Sequence, residues 1–104
     1  MSGGAKDEPE RARVALRLYV ASDSGPSAQA RRQVEALREQ RGVNGWEIEI
    51  VNVFDRPDLA EDDRVLATPI LIRLRPEPRL SVIGDLSDWR AVAEILDLHG
   101  GTGD

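Results

Sequence analysis

The chain has 104 residues, of which 40% are hydrophobic and 32% charged, a balance expected of one soluble globular domain. Its formal net charge of −5 argues against a general nucleic-acid binder or a binder of anionic membranes. The absence of cysteine excludes disulfides, thiolate metal sites and thiol redox chemistry.

The two ends of the chain are expected to be tails around a single domain. Residues 1–12 are small and charged, which predicts a disordered N-terminal tail rather than a signal peptide. Residues 99–104 are rich in glycine and predict a flexible C-terminal tail. The predicted domain covers residues 13–98, and no apolar run approaches the ~20 residues needed to span a bilayer. These features predict a cytoplasmic protein.

The first predicted strand covers residues 13–21, where apolar residues alternate with others. Arg17 and Tyr19 lie on the face opposite the apolar one. Pro26 is well placed to begin a helix, and Gly42 suits the end of that helix. The apolar face of the strand consists of Val14, Leu16, Leu18 and Val20, and that of the helix consists of Ala30, Val34 and Leu37.

Residues 46–54 form the second predicted strand. Glutamates alternate with apolar residues at its start, and its second half becomes continuously apolar, as in a strand covered on both faces. Pro57 begins a short acidic helical stretch that continues to Leu66, with Leu59 and Leu66 on one face.

Residues 70–74 and 80–83 predict two further strands, joined as a hairpin through a turn that contains Pro76 and Pro78. Ser87 is the predicted N-cap of the last helix. The apolar residues of that helix recur at helical spacing and are Trp89, Val92, Ala93 and Leu96.

The element order is therefore β-α-β-α-β-β-α. The first three elements make a right-handed crossover unit with parallel strands, and the last three make a hairpin with a covering helix. This order predicts a thioredoxin-like fold of the α/β class, in which helices flank a four-stranded mixed sheet.

In a thioredoxin-like fold the reactive site is the turn after the first strand. Here Ser24-Gly25-Pro26-Ser27 has the form of a Cys-Gly-Pro-Cys motif with serine at both cysteine positions. It is either a dead redox site that has kept its turn or, more simply, a turn that caps a helix. A serine nucleophile would need a base, and the only histidine, His99, lies in the glycine-rich tail.

Two charged stretches are interpreted as solvated surface. The acidic residues of the short helix lack the glycine turn and closing glutamate of a calcium loop, so no metal site is predicted. A partner-binding face is the alternative interpretation of this acidic cluster. Its members are Asp58, Glu61, Asp62 and Asp63, and the most basic short stretch, expected on an exposed strand face, contains Arg73, Arg75 and Arg79.

Several sequence blocks together resemble the KaiB family of bacterial clock proteins. The resemblance covers residues 13–98 and is densest in residues 66–69, 76–78 and 83–87. The matching blocks are residues 18–21, 51–53, 57–63, 66–69, 76–78 and 83–87.

The resemblance implies a non-enzymatic protein without a cofactor. Members of the family bind the hexameric RecA-like ATPase KaiC and, in cyanobacteria, help to sequester KaiA. They are known for switching between a thioredoxin-like state that binds KaiC and a tetramer-forming state with the order β-α-β-β-α-α-β. An alternative is a thioredoxin-like sensor or adaptor domain for another partner, such as a histidine kinase or a stress-response protein. An enzymatic alternative, a glutathione-dependent transferase, would need a site that is not visible.

The family's ATPase-binding surface involves the second strand and the short helix after it. Arg64 keeps a basic charge of the family, whereas Glu49 reverses one. By position, the resemblance implies that Glu47, Glu49, Asp58, Asp62 and Arg64 contact the partner.

The resemblance also implies a rearranging second half. The last helix contains Glu94-Ile95-Leu96-Asp97, where cyanobacterial members carry a glycine. Because glycine inside a helix costs about 1 kcal/mol relative to alanine, the isoleucine favours the helix and hence a thioredoxin-like resting state. The residues assigned to the switch or its hinge are Pro69, Pro76, Pro78, Gly84, Asp85 and Ser87.

Overall fold

A computed structural model describes residues 13–41 and 45–98, so the expectations for the two tails and for Gly42 lie outside the described residues. None of the helices in these ranges is both long and apolar enough to cross a bilayer. The elements are β1 (Ala15–Val20), α1 (Gly25–Arg41), β2 (Glu47–Asn52), α2 (Pro57–Asp62), β3 (Ile70–Arg75), β4 (Leu80–Ile83) and α3 (Trp89–Ile95).

The strands form one sheet in the order β2-β1-β3-β4. β1 is parallel to β2 and antiparallel to β3, so that Leu18 lies between Ile50 and Leu71. β3 and β4 form the predicted antiparallel hairpin. The element order and the mixed sheet confirm the thioredoxin-like prediction.

Helices α1 and α3 cover one face of the sheet, and the main apolar core lies beneath them. Alternation in β1 places every second side chain on this face, and α1 covers it with residues one helical turn apart. The buried members of this core are Val14, Leu16, Leu18, Val20, Ala30, Val34, Leu37, Trp46, Ile48, Leu71, Leu86, Val92 and Leu96.

The opposite face of the sheet carries a smaller core. Tyr19, Val51, Ile70 and Ile72 are buried here, and residues of α2 and of the segment after it pack against them. In β2, Ile50 packs against the main core and Val51 is buried in the smaller one, which explains the continuous apolar run in the second half of this strand.

Helix α2 is shorter than the predicted helix, which was expected to reach Leu66. The chain leaves the helix at Arg64, whose φ of 57° is a left-handed conformation, and the N–H of Val65 donates to the carbonyl of Ala60 at 2.9 Å. This is the bonding pattern of a helix C-terminus. It turns Val65 inward against the smaller core and leaves Leu66 93% exposed, so the predicted apolar face of Leu59 and Leu66 was wrong.

The N-cap of α3 is Asp88 and not Ser87, so that prediction was also wrong. The Asp88 carboxylate accepts a hydrogen bond from the N–H of Ala91 at 3.2 Å. Ser87 lies one residue too early and instead donates its N–H to the Asp85 carboxylate at 2.8 Å. Aspartate fills the same capping role as serine, which is why the pattern alone placed the cap one residue early.

Candidate partner-binding surface

Helix α2 is held at its start by short-range contacts. The side-chain oxygen of Asn52 accepts from the N–H of Phe54 at 2.8 Å and tightens the turn after β2. Pro57 then occupies the beginning of the helix, where its missing N–H costs nothing. Arg56 and Asp58 form a two-pronged ion pair with N–O distances of 2.9 and 3.1 Å. These contacts order the turn that connects β2 to α2.

The end of α2 is fixed by a buried carboxylate. The side chain of Asp63 is only 5% exposed and accepts hydrogen bonds from three side chains on other elements. Arg17 of β1 donates to it at 2.9 Å, Arg79 of the β3–β4 turn donates at 2.7 Å, and the Tyr19 hydroxyl donates a further bond. The Tyr19 oxygen also lies 3.0 Å from the carbonyl of Leu59. One carboxylate therefore joins α2 to β1 and to the hairpin turn.

The protonation of this network follows from its hydrogen bonds. Burial by itself would raise the pKa of Asp63, but the hydrogen bonds from Tyr19, Arg79 and Arg17 outweigh it and hold that pKa below its ordinary value. For Tyr19, burial and the hydrogen bond to Asp63 raise the pKa to about 12. At neutral pH the network thus contains an ionised aspartate and a neutral tyrosine.

The predicted partner-binding residues lie on β2, α2 and the segment that follows α2, and most of them have ion-pair partners. Glu49 accepts from Arg17 at 2.9 Å, so the same guanidinium that binds Asp63 also binds β2. Glu47 is paired with Arg75 at 2.9 Å. The network therefore connects Glu49 to the end of α2. The other three predicted residues, Asp58, Asp62 and Arg64, are exposed.

Apolar groups lie among these charges. Phe54, in the turn after β2, is 76% exposed, and Leu66 is more exposed still. A shallow depression of about 500 Å³ is lined by Leu66 and by the last part of α2 and its exit. Its lining residues are Ala60, Glu61, Arg64, Val65 and Leu66. We call the exposed surface formed by β2 residues 47 and 49, by α2 and by residues 64–66 the α2 surface.

The residues assigned to the switch lie at the two ends of the β3–β4 hairpin. Pro69 directly precedes β3, and Pro76 and Pro78 occupy the turn; all three are preceded by cis peptide bonds. Gly84 ends β4 with a φ of 100°, a conformation that side chains with a Cβ rarely adopt. A cleft of about 420 Å³ separates this end of the hairpin from the first half of α1, and Pro69, Gly84, Asp85 and Ser87 are among the residues that line it.

The serine-containing turn lies at the same end of the molecule. Ser27 is buried, and its hydroxyl oxygen accepts from the N–H of Ala21 at 3.3 Å, which ties the start of α1 to the end of β1. Pro26 lines the cleft. These contacts agree with the interpretation as a structural turn, and without cysteine no thiol chemistry is available there.

Two interpretations of charged residues were wrong. Asp63 was assigned to a solvated helix face but is buried in the network. Arg73 was expected on an exposed strand face but is 3% exposed, and it donates to the carbonyls of Leu96 at 2.9 Å and Pro78 at 2.7 Å. The partial negative charge of helix C-terminal carbonyls explains why α3 accepts this cation. For Asp63 a signal was present, because Tyr19 and Arg17 alternate onto the second face of a central strand.

Comparisons with known proteins identify relatives over almost the whole domain. A family model described as the KaiB domain matches residues 17–98. Circadian clock oscillator protein KaiB1 from Synechocystis is 37% identical over 90 residues, which cover 86% of each chain. Circadian clock oscillator protein KaiB from Gloeothece citriformis is 39% identical over 83 residues, which cover 80% of this chain and 78% of the relative.

Solved structures of thioredoxins share the fold at low sequence identity. The germline-specific thioredoxin Deadhead from Drosophila melanogaster superposes with a TM-score of 0.69 at 18% identity, covering 93% of this chain and 91% of that one. Mitochondrial thioredoxin 3 from Saccharomyces cerevisiae gives a TM-score of 0.67 at 16% identity, covering 92% and 89%.

Proposed function

This chain belongs to the KaiB family, and from that premise we propose that it is a non-enzymatic timing regulator that binds a KaiC-type hexameric ATPase through the α2 surface. The observation that carries the proposal is the family match across residues 17–98, the same residues that build the thioredoxin-like domain and the α2 surface. The protein needs no cofactor for this role and works in the cytoplasm.

The charges and apolar groups of the α2 surface support a role in protein binding. Asp62 and Arg64 are exposed, and Arg64 lines the same shallow depression as the nearly fully exposed Leu66. Large exposed apolar side chains among charged groups are typical of protein-binding surfaces. Because the Asp63 network fixes α2 on the sheet, this surface is preorganised, which lowers the entropy lost on binding.

The thioredoxin-like state is the one proposed to bind KaiC. Ile95 keeps the last turn of α3 free of glycine, which favours this state over the tetramer-forming order β-α-β-β-α-α-β. Pro69, Pro76, Pro78, Gly84, Asp85 and Ser87 remain the proposed positions of rearrangement. Amide exchange or NMR that detected a strand across residues 89–96 in the resting protein would contradict this resting state.

The proposal is tested by size-exclusion chromatography with light scattering, using the protein alone and with a KaiC hexamer and ATP. Stable co-elution supports KaiC binding, and no co-elution in any nucleotide state contradicts it. In that case the alternative partners, KaiA or a histidine kinase, would be assayed in the same way.

The surface itself is tested by charge reversal. Arg64→Glu is expected to weaken KaiC binding without unfolding the domain, because the Arg64 side chain is exposed and is outside the Asp63 network. Arg90→Glu is the matched control, since Arg90 is also exposed but lies on α3, which covers the opposite face of the sheet. Equal affinity of the two variants would show that KaiC binds elsewhere.

A further inference from the structure

The cleft between the first half of α1 and the end of the hairpin has the size of a binding site. Its volume of about 420 Å³ falls within the range of about 300–1,000 Å³ that is usual for ligand pockets. Gln29 and Gln33 of α1 line one side, and Thr68, Pro69 and residues 84–87 line the other. The cleft therefore opens onto the segment that leads into β3. None of these residues belongs to the α2 surface.

The backbone of Thr68 is unpaired at this cleft. Within residues 13–41 and 45–98, no group forms a hydrogen bond with its N–H or its C=O. Both neighbouring strands turn away at this level of the sheet. On the β1 side the N–H of Ala21 donates to the Ser27 hydroxyl, and on the β4 side the last bond runs from the N–H of Gly84 to the carbonyl of Pro69. An unpaired peptide donor and acceptor at the end of a sheet are a template for an added extended segment.

We propose that the cleft binds an extended segment of a partner protein that carries a basic side chain. The main chain of the segment exchanges hydrogen bonds with the N–H and C=O of Thr68, which supplies affinity independent of sequence. The side-chain amides of Gln29 and Gln33 have no hydrogen-bond partner among the described residues, and they bond the peptide groups on the other side of the segment. This site is separate from the α2 surface, and the inference does not rest on the proposed function.

Asp85 sets the charge of the segment. It is the only charged residue among the described residues that line the cleft, and it is exposed. The backbone N–H of Ser87 donates to its carboxylate at 2.8 Å and holds the pKa of Asp85 below its ordinary value, so the group is ionised at neutral pH. Because no ion pair within the described residues neutralises this carboxylate, the cleft favours a lysine or arginine and disfavours an acidic segment.

The positions where the described domain begins and ends favour a segment of another protein over an end of this chain. The cleft lies where β1 ends and β3 begins. The described residues enter the sheet at the start of β1, where Ala15 pairs with Arg75 at the far end of β3. They leave it after α3, whose Leu96 carbonyl accepts from Arg73. Both ends of the described domain therefore lie towards the end of β3 that is remote from the cleft.

The first test selects a phage-displayed library of random peptides on the full chain and then uses the enriched sequences as synthetic peptides. The enriched peptides are expected to contain lysine or arginine. On addition of such a peptide, the NMR signals of the Thr68 backbone amide and of the Gln29 and Gln33 side-chain amides are expected to shift. The signal of Asp62 on the α2 surface should stay in place.

The second test measures the affinity of the same peptide for variants of the cleft. Asp85→Asn keeps an oxygen that accepts from Ser87 but removes the charge, and it is expected to weaken binding about two- to fivefold. Replacing the basic residue of the peptide by alanine should cost the same factor with the native chain and nothing further with Asp85→Asn. Gln29→Trp fills the cleft from an exposed helix position and is expected to weaken binding by at least about tenfold. Glu94→Gln is the matched control for Asp85→Asn, since Glu94 is exposed on α3 outside the cleft, and it should leave the affinity unchanged.

Enriched basic peptides that shift the Thr68 signal and lose affinity in Gln29→Trp support the proposal. Failure to enrich any peptide overturns it. So do shifts confined to the α2 surface, or an affinity that neither Asp85→Asn nor Gln29→Trp changes, because the peptide would then bind elsewhere. Nuclear Overhauser contacts between Thr68 and residues 1–12 or 99–104 in the free chain also overturn it, since the occupant would then be an end of this chain.

Discussion

The two faces of the sheet are stabilised by different kinds of interaction. The face under α1 and α3 buries a large apolar core whose central residues, such as Leu18 and Val34, have no exposed surface. The face under α2 buries fewer apolar side chains and adds an ionised aspartate with three donors. Apolar burial is non-directional, whereas a hydrogen-bonded carboxylate fixes one geometry. The first face therefore stabilises the fold, and the second also positions a surface helix.

The largest loss of stability is expected from a substitution in the apolar core under α1 and α3. Leu18→Ala is expected to lower the free energy of unfolding by about 2–5 kcal/mol, because it leaves a cavity in the centre of the sheet. Denaturant unfolding measures this loss. Leu66→Ala is the control, since the same atoms are removed from a 93% exposed side chain, and its effect is expected to stay within about 0.5 kcal/mol. Similar losses in the two variants would contradict the assigned core.

On the α2 face the largest effect is expected at Asp63. Asp63→Asn leaves three donors with a poorer acceptor and should cost about 1–3 kcal/mol. Asp62→Asn changes the exposed neighbouring carboxylate and should be nearly neutral. Thermal unfolding of the pair measures the difference. Equal stability of the two variants would show that the network does not hold α2.

The contribution of Asp63 to stability is expected to depend on pH, and the direction of its pKa shift fixes the sign of that dependence. The folded pKa of Asp63 lies below the unfolded value, so its contribution is complete above that unfolded pKa of about 4 and is lost as the pH falls through the folded pKa. The stability difference between the native chain and Asp63→Asn should therefore be constant near neutral pH and shrink in acid. A difference that grows as the pH falls would contradict the ionised state of Asp63.

A smaller effect is expected at Tyr19, the only tyrosine of the chain. Tyr19→Phe removes the hydrogen bond that the hydroxyl donates to Asp63 and should cost about 1.5 kcal/mol. Phenolate absorbance in the native chain should titrate at a pKa of about 12, above the ordinary 10.0. The stabilisation from this raised pKa is complete below pH ~10 and is lost as the pH rises through the folded value. Titration near pH ~10 in the folded protein would contradict the buried hydroxyl.

The smallest predicted effect is local and lies at the start of α3. Asp88→Ala removes the side-chain cap and should cost about 1 kcal/mol, seen as faster amide exchange in α3. Ser87→Ala is the matched control and should leave exchange unchanged, because the side chain of Ser87 does not cap the helix. The opposite result would restore Ser87 as the cap.

Much of the fold could be predicted because β1, β2 and the hairpin follow simple alternation. The apolar face of β1 and the two-sided burial of β2 follow directly from which residues alternate. The wrong predictions concerned the ends of helices, where two neighbouring residues could each supply the same contact or cap. Leu66 and Val65 are both apolar, and the left-handed conformation of Arg64 decided between them.

The buried charges could not be predicted from local pattern. Asp63 stands in an acidic run and Arg73 in a basic one, and each run is typical of solvated surface. Their burial depends on partners far away in sequence, such as Arg17 for Asp63 and the end of α3 for Arg73. The candidate surface was therefore located by resemblance, whereas the network that positions it became visible only in three dimensions.

The turn between β3 and β4 has a consequence for how mutational energies combine. The Pro78 carbonyl accepts from Arg73 on the α3 side, and Arg79, the next residue, donates to Asp63 on the α2 side. A single peptide unit thus separates contacts to opposite faces of the sheet. Asp63 and Arg73 are connected through this peptide unit, so the losses in unfolding free energy caused by substituting each of them should not simply add. A thermodynamic double-mutant cycle between the two residues is expected to give a non-zero coupling energy, although the sheet lies between them.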